Sequence, residues 1–168
     1  LANRHARDWF DTAAHYGTDA LGAFTLEQEA SIADQLDLAT LTRVVMTHLH
    51  TDHVGWNTVA RDGQWVPTFP NARYLIPRAE FDYWKGEYDK GDKAVQAGSF
   101  ADSVLPILDA GLADFIDGGK DVAGCLTPEP VPGHAPGMIS FRLRSRGEEG
   151  LFTADVMHNA IQIVQPHW

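Results

Sequence analysis

Six positions constrain this chain more than any others: His48-Leu49-His50-Thr51-Asp52-His53. Three imidazoles and a carboxylate in so short a run are the ligands that zinc and similar divalent ions take. The preceding Val44, Val45 and Met46 form an apolar, β-branched run, so a buried strand is predicted to lead into the motif. In an extended chain, side chains two apart point the same way, and His48 and His50 can then grip one ion. The Thr51-Asp52 turn redirects the chain, so that Asp52 and His53 can face a second ion beside the first. The bland alternative is a polar loop whose histidines are accidental. From this composition, the six-residue pattern arises on the order of once in a thousand such chains.

Composition narrows the partners. The chain has 168 residues, 44% hydrophobic and 21% charged. That suits one globular domain over 1–168 with an ordinary core. A formal net charge of -10 repels phosphate backbones, so no nucleic-acid partner is expected. The only dense basic patch is Arg142, Arg144 and Arg146. It alternates with Phe141, Leu143 and Ser145, as on the solvent face of a strand. Cys125 is the single cysteine, which rules out an internal disulfide framework and a Cys-based metal site. Its neighbours Val122, Ala123 and Leu126 suggest a buried small hydrophobe. No run of eighteen apolar residues exists, so no membrane partner is expected. The expected setting is cytoplasmic, with a small-molecule substrate and a homodimeric assembly. The chain starts at Leu1 and stops at Trp168 straight after an apolar run, and a piece of a longer chain is the expectation.

The remaining pattern is mixed α and β. Thr25, with Gln28 three residues on, can cap a helix over 25–36, where Leu26, Ala30, Ala33 and Leu36 keep helical spacing. His5 and His15 have no partner at ligand spacing and read as surface residues. A strand is predicted at 43–47 and the start of a helix within 54–60. There Gly55 permits close backbone approach and Trp56 sits just behind the ligands. Arg61-Asp62-Gly63 reads as a turn, and 64–69 and 72–76 as short strands. Pro77 suits the first turn of a helix through Phe81, Tyr83 and Trp84. Residues 85–93 read as a charged loop or lid, and 93–109 as a helix that Pro106 kinks or ends. Short strands follow at 113–116, 122–126, 138–143 and 151–154, and 161–164 is a last apolar run.

Two isolated residues complete the chemistry. His134 lies between Pro132-Gly133 and Pro136-Gly137, a stiff loop able to hold a ligand. Asp155 follows the predicted strand Leu151-Phe152-Thr153-Ala154. A carboxylate between two like-charged ions can bridge them and offset their repulsion.

The order of these pieces resembles the metallo-β-lactamase superfamily of hydrolases. The matching segments are Thr47-His48-Leu49-His50-Thr51-Asp52-His53-Val54-Gly55, then Pro132-Gly133-His134-Ala135-Pro136-Gly137, then Phe152-Thr153-Ala154-Asp155. The resemblance implies an α/β (α+β) fold, an αβ/βα sandwich with metals at the edge between two sheets, here incomplete at both ends. It implies that His48, His50 and His134 hold one ion, that Asp52 and His53 hold the second, and that Asp155 bridges. Two departures stand out. The family's final His ligand, well after the bridging Asp, has no counterpart before Trp168; His158 and His167 are too near Asp155 and read as pocket-lining or incidental. The family's opening strands, with their aspartate-glycine loop, are not evident in residues 1–24. Within the superfamily, Gly55-Trp56-Asn57, Phe69-Pro70-Asn71-Ala72-Arg73-Tyr74 and Ala79-Glu80-Phe81 look like the lactonase and methyl-parathion-hydrolase members. The oxygen-reducing diiron members carry Glu where this chain has His50, which points to zinc-type hydrolysis.

The expected function is therefore hydrolysis of a small ester, lactone or organophosphate by a hydroxide activated between two divalent metal ions, taken to be Zn2+. Asp52 orients the nucleophile and carries a proton to the leaving group. Trp56, Phe81, Trp84, Met157 and His158 are the candidate substrate contacts, with core packing as the rival role for the apolar ones. Two rival functions are a nuclease of the same superfamily and a non-catalytic or inactive truncated metal-binding protein. The acidic charge and the lack of a basic stripe count against the nuclease.

Overall fold

The computed structural model describes residues 40–167. The helix expected at 25–36, and His5 and His15, lie outside the described residues. Strand β1 (Arg43–Val45) pairs in parallel with β4 (Arg73–Pro77), which pairs in parallel with β5 (Ala113–Ile116). The order β1-β4-β5 puts β4 in the middle, and its residues 74–77 are all buried. This is the apolar composition that a strand covered on both faces requires.

Side-chain alternation along β4 divides the core in two. Tyr74 and Ile76 point one way and join Met46, Leu49, Val54, Phe81, Phe100, Val104 and Ile107 in the larger cluster. Leu75 points the other way and packs with Ile116, Ile139 and Phe141. The period of two makes this split unavoidable. Ile139 and Phe141 belong to β7 (Ile139–Ser145), the centre of an antiparallel sheet with β6 (Leu126–Pro130) and β8 (Glu148–Phe152). The two sheets also meet through backbone, where Ile139 N–H donates to the Thr47 carbonyl at 2.9 Å. Mixed α/β architecture is thus as expected.

Helix α1 (Thr51–Val54) is a single turn followed by a 3-10 turn, Gly55–Asn57. The chain then becomes strand β2 (Thr58–Arg61), paired with β3 (Gln64–Pro67), rather than the helix expected within 54–60. Cross-strand bonds outweigh local preference here. Asp62 and Gly63 adopt φ of 51° and 77°, the left-handed pair that a two-residue hairpin turn needs. Thr58 Oγ1 also donates to the Asp102 carbonyl at 2.8 Å.

Helix α2 (Arg78–Asp89) has Pro77 at its N-cap and runs on through residues expected to form an exposed loop. Lys85 pairs with Asp89 one turn on, which supports the extension. The expected helix at 93–109 is broken into a 3-10 turn (Val95–Gly98), a π turn (Phe100–Val104) and α3 (Leu105–Asp109). Gln96 and Ala97 both sit at φ 53°, which an α-helix cannot accommodate. The strand expected at 122–126 begins only at Leu126. Cys125 is half-buried, not buried. Arg142 and Arg144 do line the outer side of β7, bonded to Glu129 and Glu149, but Arg146 lies in the β7–β8 turn. The last apolar run forms α4 (Ile161–Val164). Among the described residues, no helix is long and apolar enough to cross a membrane.

Candidate metal centre

The motif occupies the chain leaving β1. His50 keeps extended backbone (φ -66°, ψ 154°) and α1 starts at the next residue. The turn of helix folds His53 back, its N–H bonding the His50 carbonyl at 3.0 Å. The three motif histidines thereby converge: the His48 ring centroid is 4.6 Å from that of His50 and 4.0 Å from that of His53.

His48 is the focus. It is fully buried, its Nδ1 lies 3.1 Å from Thr47 Oγ1, and its Nε2 is buried with no hydrogen-bond partner. Leaving such an atom unsatisfied costs about 1–3 kcal/mol, so the pocket is shaped for something that takes the lone pair. Other candidate ligands surround it. The β6–β7 loop brings His134, whose Nε2 is 2.9 Å from His50 Nδ1. The 3-10 turn after β8 (Ala154–Val156) brings Asp155. Its Oδ2 is 3.1 Å from His53 Nε2, 3.4 Å from His134 Nε2 and 3.9 Å from His48 Nε2.

Among the described residues, donor atoms fall into three groups, each within 4.8 Å of one another: His48, His50 and His134; His48, His53 and Asp155; His134, Asp155 and His158. Asp52 stands outside these groups, with Oδ2 3.5 Å from His53 Nε2. His158, which the sequence reads as pocket-lining or incidental, has its Nε2 3.3 Å from Asp155 Oδ2. The three-residue step from Asp155 was the one local signal for that contact. Of the expected apolar wall, Phe81 is buried in the core and Trp56 is half-buried against it. Trp84 packs edge-on to His50 with centroids 5.9 Å apart, and Met157 is 43% exposed beside Asp155.

Electrostatics favour metal-ready side chains. Burial, then the neighbouring His53 and His50, push the His48 imidazole down to about 3, against an opposing pull from Asp155. Burial and then His134 lower His50. Both are held as neutral rings, the form that ligates metal. For Asp155, burial alone would raise the carboxyl. Its interactions with His53, His158 and His48 outweigh it, and the net shift is downward. Neutral imidazoles and an ionised carboxylate around an unsatisfied buried nitrogen fit zinc or a similar divalent ion.

Sequence reasoning did not single out Glu80. It is buried on the first turn of α2 and bonds to Leu49, Trp84 and Gly137. Its signal was an acid four residues before Trp84 and one before Phe81.

Residues 17–167 match the family model described as the metallo-beta-lactamase superfamily. The N-acyl homoserine lactonase AttM of Azorhizobium caulinodans is 30% identical over 142 residues, covering 80% of this chain and 50% of that protein. The AttM lactonase of Agrobacterium fabrum is 30% identical over 136 residues, with 71% and 44% covered. The chain spans about half the length of the curated relatives it matches. Among solved structures, the hydrolase AbOPH of the beta lactamase superfamily superposes with a TM-score of 0.63 at 27% identity, covering 80% of this chain and 48% of that one. AidC, a dizinc quorum-quenching lactonase, shares the fold with a TM-score of 0.64 at 24% identity, covering 86% and 51%. With its histidine–aspartate cluster where both sheets end, and that family model running over most of its residues, the chain belongs to the metallo-beta-lactamase superfamily.

Proposed function

We propose that the whole protein is a dinuclear metal-dependent hydrolase of a small ester, lactone or organophosphate, with lactones the leading class. The observation that carries this is the buried, unpartnered Nε2 of His48, ringed by His50, His53, His134 and Asp155. The curated relatives named as N-acyl homoserine lactonases support the lactone. His48, His50 and His134 would hold one ion. His53, Asp52 and Asp155 would hold the other, with Asp155 Oδ2 reaching both sets.

Bound zinc ions supply an activated water near neutral pH and stabilise negative charge developing on a substrate oxygen. The chain's own residues do the rest. His48 and His50 present neutral nitrogens from a backbone held by β1 and α1. Asp155 sets the spacing between the two histidine groups. Asp52, at the exposed rim, is free to orient a nucleophile and to carry a proton to the leaving group. Trp84 offers apolar surface beside His50, and Met157 is an exposed apolar side chain two residues after Asp155.

In the whole protein, His50→Ala is expected to lose metal and turnover together. Elemental analysis, with hydrolysis assayed on an acyl lactone, an aryl ester and an organophosphate, measures both. A His50→Ala protein that keeps its metal content and its rate sinks the proposal.

A further inference from the structure

We propose that Glu80 is a positioning residue that fixes the separation of the two loops carrying His50 and His134. The inference rests on reading His48, His50 and His134 as metal ligands. Glu80 is fully buried and belongs to none of the three donor groups. Its Oε1 accepts from Leu49 N–H at 3.2 Å, and Leu49 is the residue between His48 and His50. Its Oε2 accepts from Gly137 N–H at 2.8 Å, at the end of the loop that carries His134. These partners are 31 and 57 residues away in sequence, so one carboxyl joins two distant segments, beside the backbone bond from Ile139 N–H to the Thr47 carbonyl.

Two further observations support the same role. Trp84 Nε1–H donates to Oε1 at 2.6 Å while its ring packs on His50. The loop is also pressed against the helix: a Cβ on Gly137 would overlap the Glu80 backbone nitrogen and lie 2.6 Å from the Ala79 carbonyl carbon. The contact admits only glycine. The two histidines so held have ring nitrogens 2.9 Å apart. A carboxylate suits the task because both of its oxygens accept. A glutamine would have to turn its NH2 toward one of the N–H groups, and an aspartate is one methylene short.

The test compares wild type, Glu80→Gln and Glu80→Asp as whole chains. Three properties are measured: zinc affinity by chelator competition, the visible bands of the cobalt-substituted protein, and the melting temperature of the metal-free protein. Misplaced ligands should lower zinc affinity about 10–100-fold and alter the cobalt bands. A purely structural role would lower the melting temperature and leave affinity and bands as in wild type, which overturns the proposal. If neither variant folds, Trp84→Phe removes one of the three bonds. A several-fold loss of zinc affinity is then expected, and unchanged affinity and bands overturn the proposal. A wild-type chain that binds no zinc overturns the metal reading itself, and this inference with it. Wild-type behaviour in folded variants removes only the role of Glu80.

Discussion

At Tyr74 one hydroxyl serves two backbone groups from different segments. It accepts from Phe69 N–H at 3.0 Å and donates to the Asn57 carbonyl at 3.0 Å, in a fully buried position. Tyr74→Phe should cost about 1–3 kcal/mol, since the buried Phe69 N–H loses its partner and the Asn57 carbonyl keeps only the bond from Thr68 N–H; urea unfolding measures it. Burial pushes the Tyr74 hydroxyl up to about 12, against a smaller opposing effect of the bond from Phe69. The folded value lies above the unfolded one near 10. The associated stability is therefore fully present below about pH 10 and is lost as pH rises through about 12. Wild type should lose more stability than Tyr74→Phe across that window, by at most about 2–3 kcal/mol. Equal slopes for the two proteins would refute the assignment. Residues of this kind were poorly legible in the sequence. Tyr74 lies in a predicted strand, and nothing nearby announces that Asn57 and Phe69 will meet it. His48 stood out as a candidate because ligation demands a particular atom type at a particular spacing.

Among elements, the β6–β7 loop makes the sharpest prediction. Gly137 lies against α2 with no room for a side chain, whereas a Cβ on Gly133 would meet nothing within 4 Å. Gly137→Ala should cost about 1–3 kcal/mol through forced overlap. Gly133→Ala should stay within about 0.5 kcal/mol. Thermal or urea unfolding of the pair distinguishes them, and equal effects would contradict the packing. The strands β1, β4, β5 and β7 were readable from short apolar runs. Strand β2 was not, because Thr58–Arg61 forms only through its partner β3 and the Asp62-Gly63 turn. The break at Gln96 and Ala97 was equally silent. It is held by tertiary bonds, with Thr51 Oγ1 donating to the Gln96 carbonyl at 2.7 Å and Ser99 Oγ to Thr51 Oγ1 at 3.2 Å.

At the scale of the molecule, the proposed metal site couples ion binding to folding. The donors come from three stretches: residues 48–53, the loop at 134, and 155–158. An unfolded chain cannot assemble them, so an ion held by this cluster would favour the folded state. Zinc at about 100 times its dissociation constant should add about 2.7 kcal/mol of stability. Melting scans with added zinc and then with a chelator measure this. A melting temperature indifferent to both would show that no such site assembles.

What the sequence by itself determined was the chemistry. Histidine and aspartate at those spacings, after an apolar strand and with no cysteine partners, are the donor types that borderline divalent ions take. Local periodicity also determined the buried strands, because alternation and apolar runs act over a few residues. Only the tertiary structure decided which of these groups meet. Asp155 reaches His53 across 102 residues, Glu80 joins Leu49 to Gly137, and His158 joins the cluster beside Asp155. Such meetings depend on how β4 divides its two faces between separate cores, and so on the packing of both sheets at once. A pattern within one segment carries no record of them.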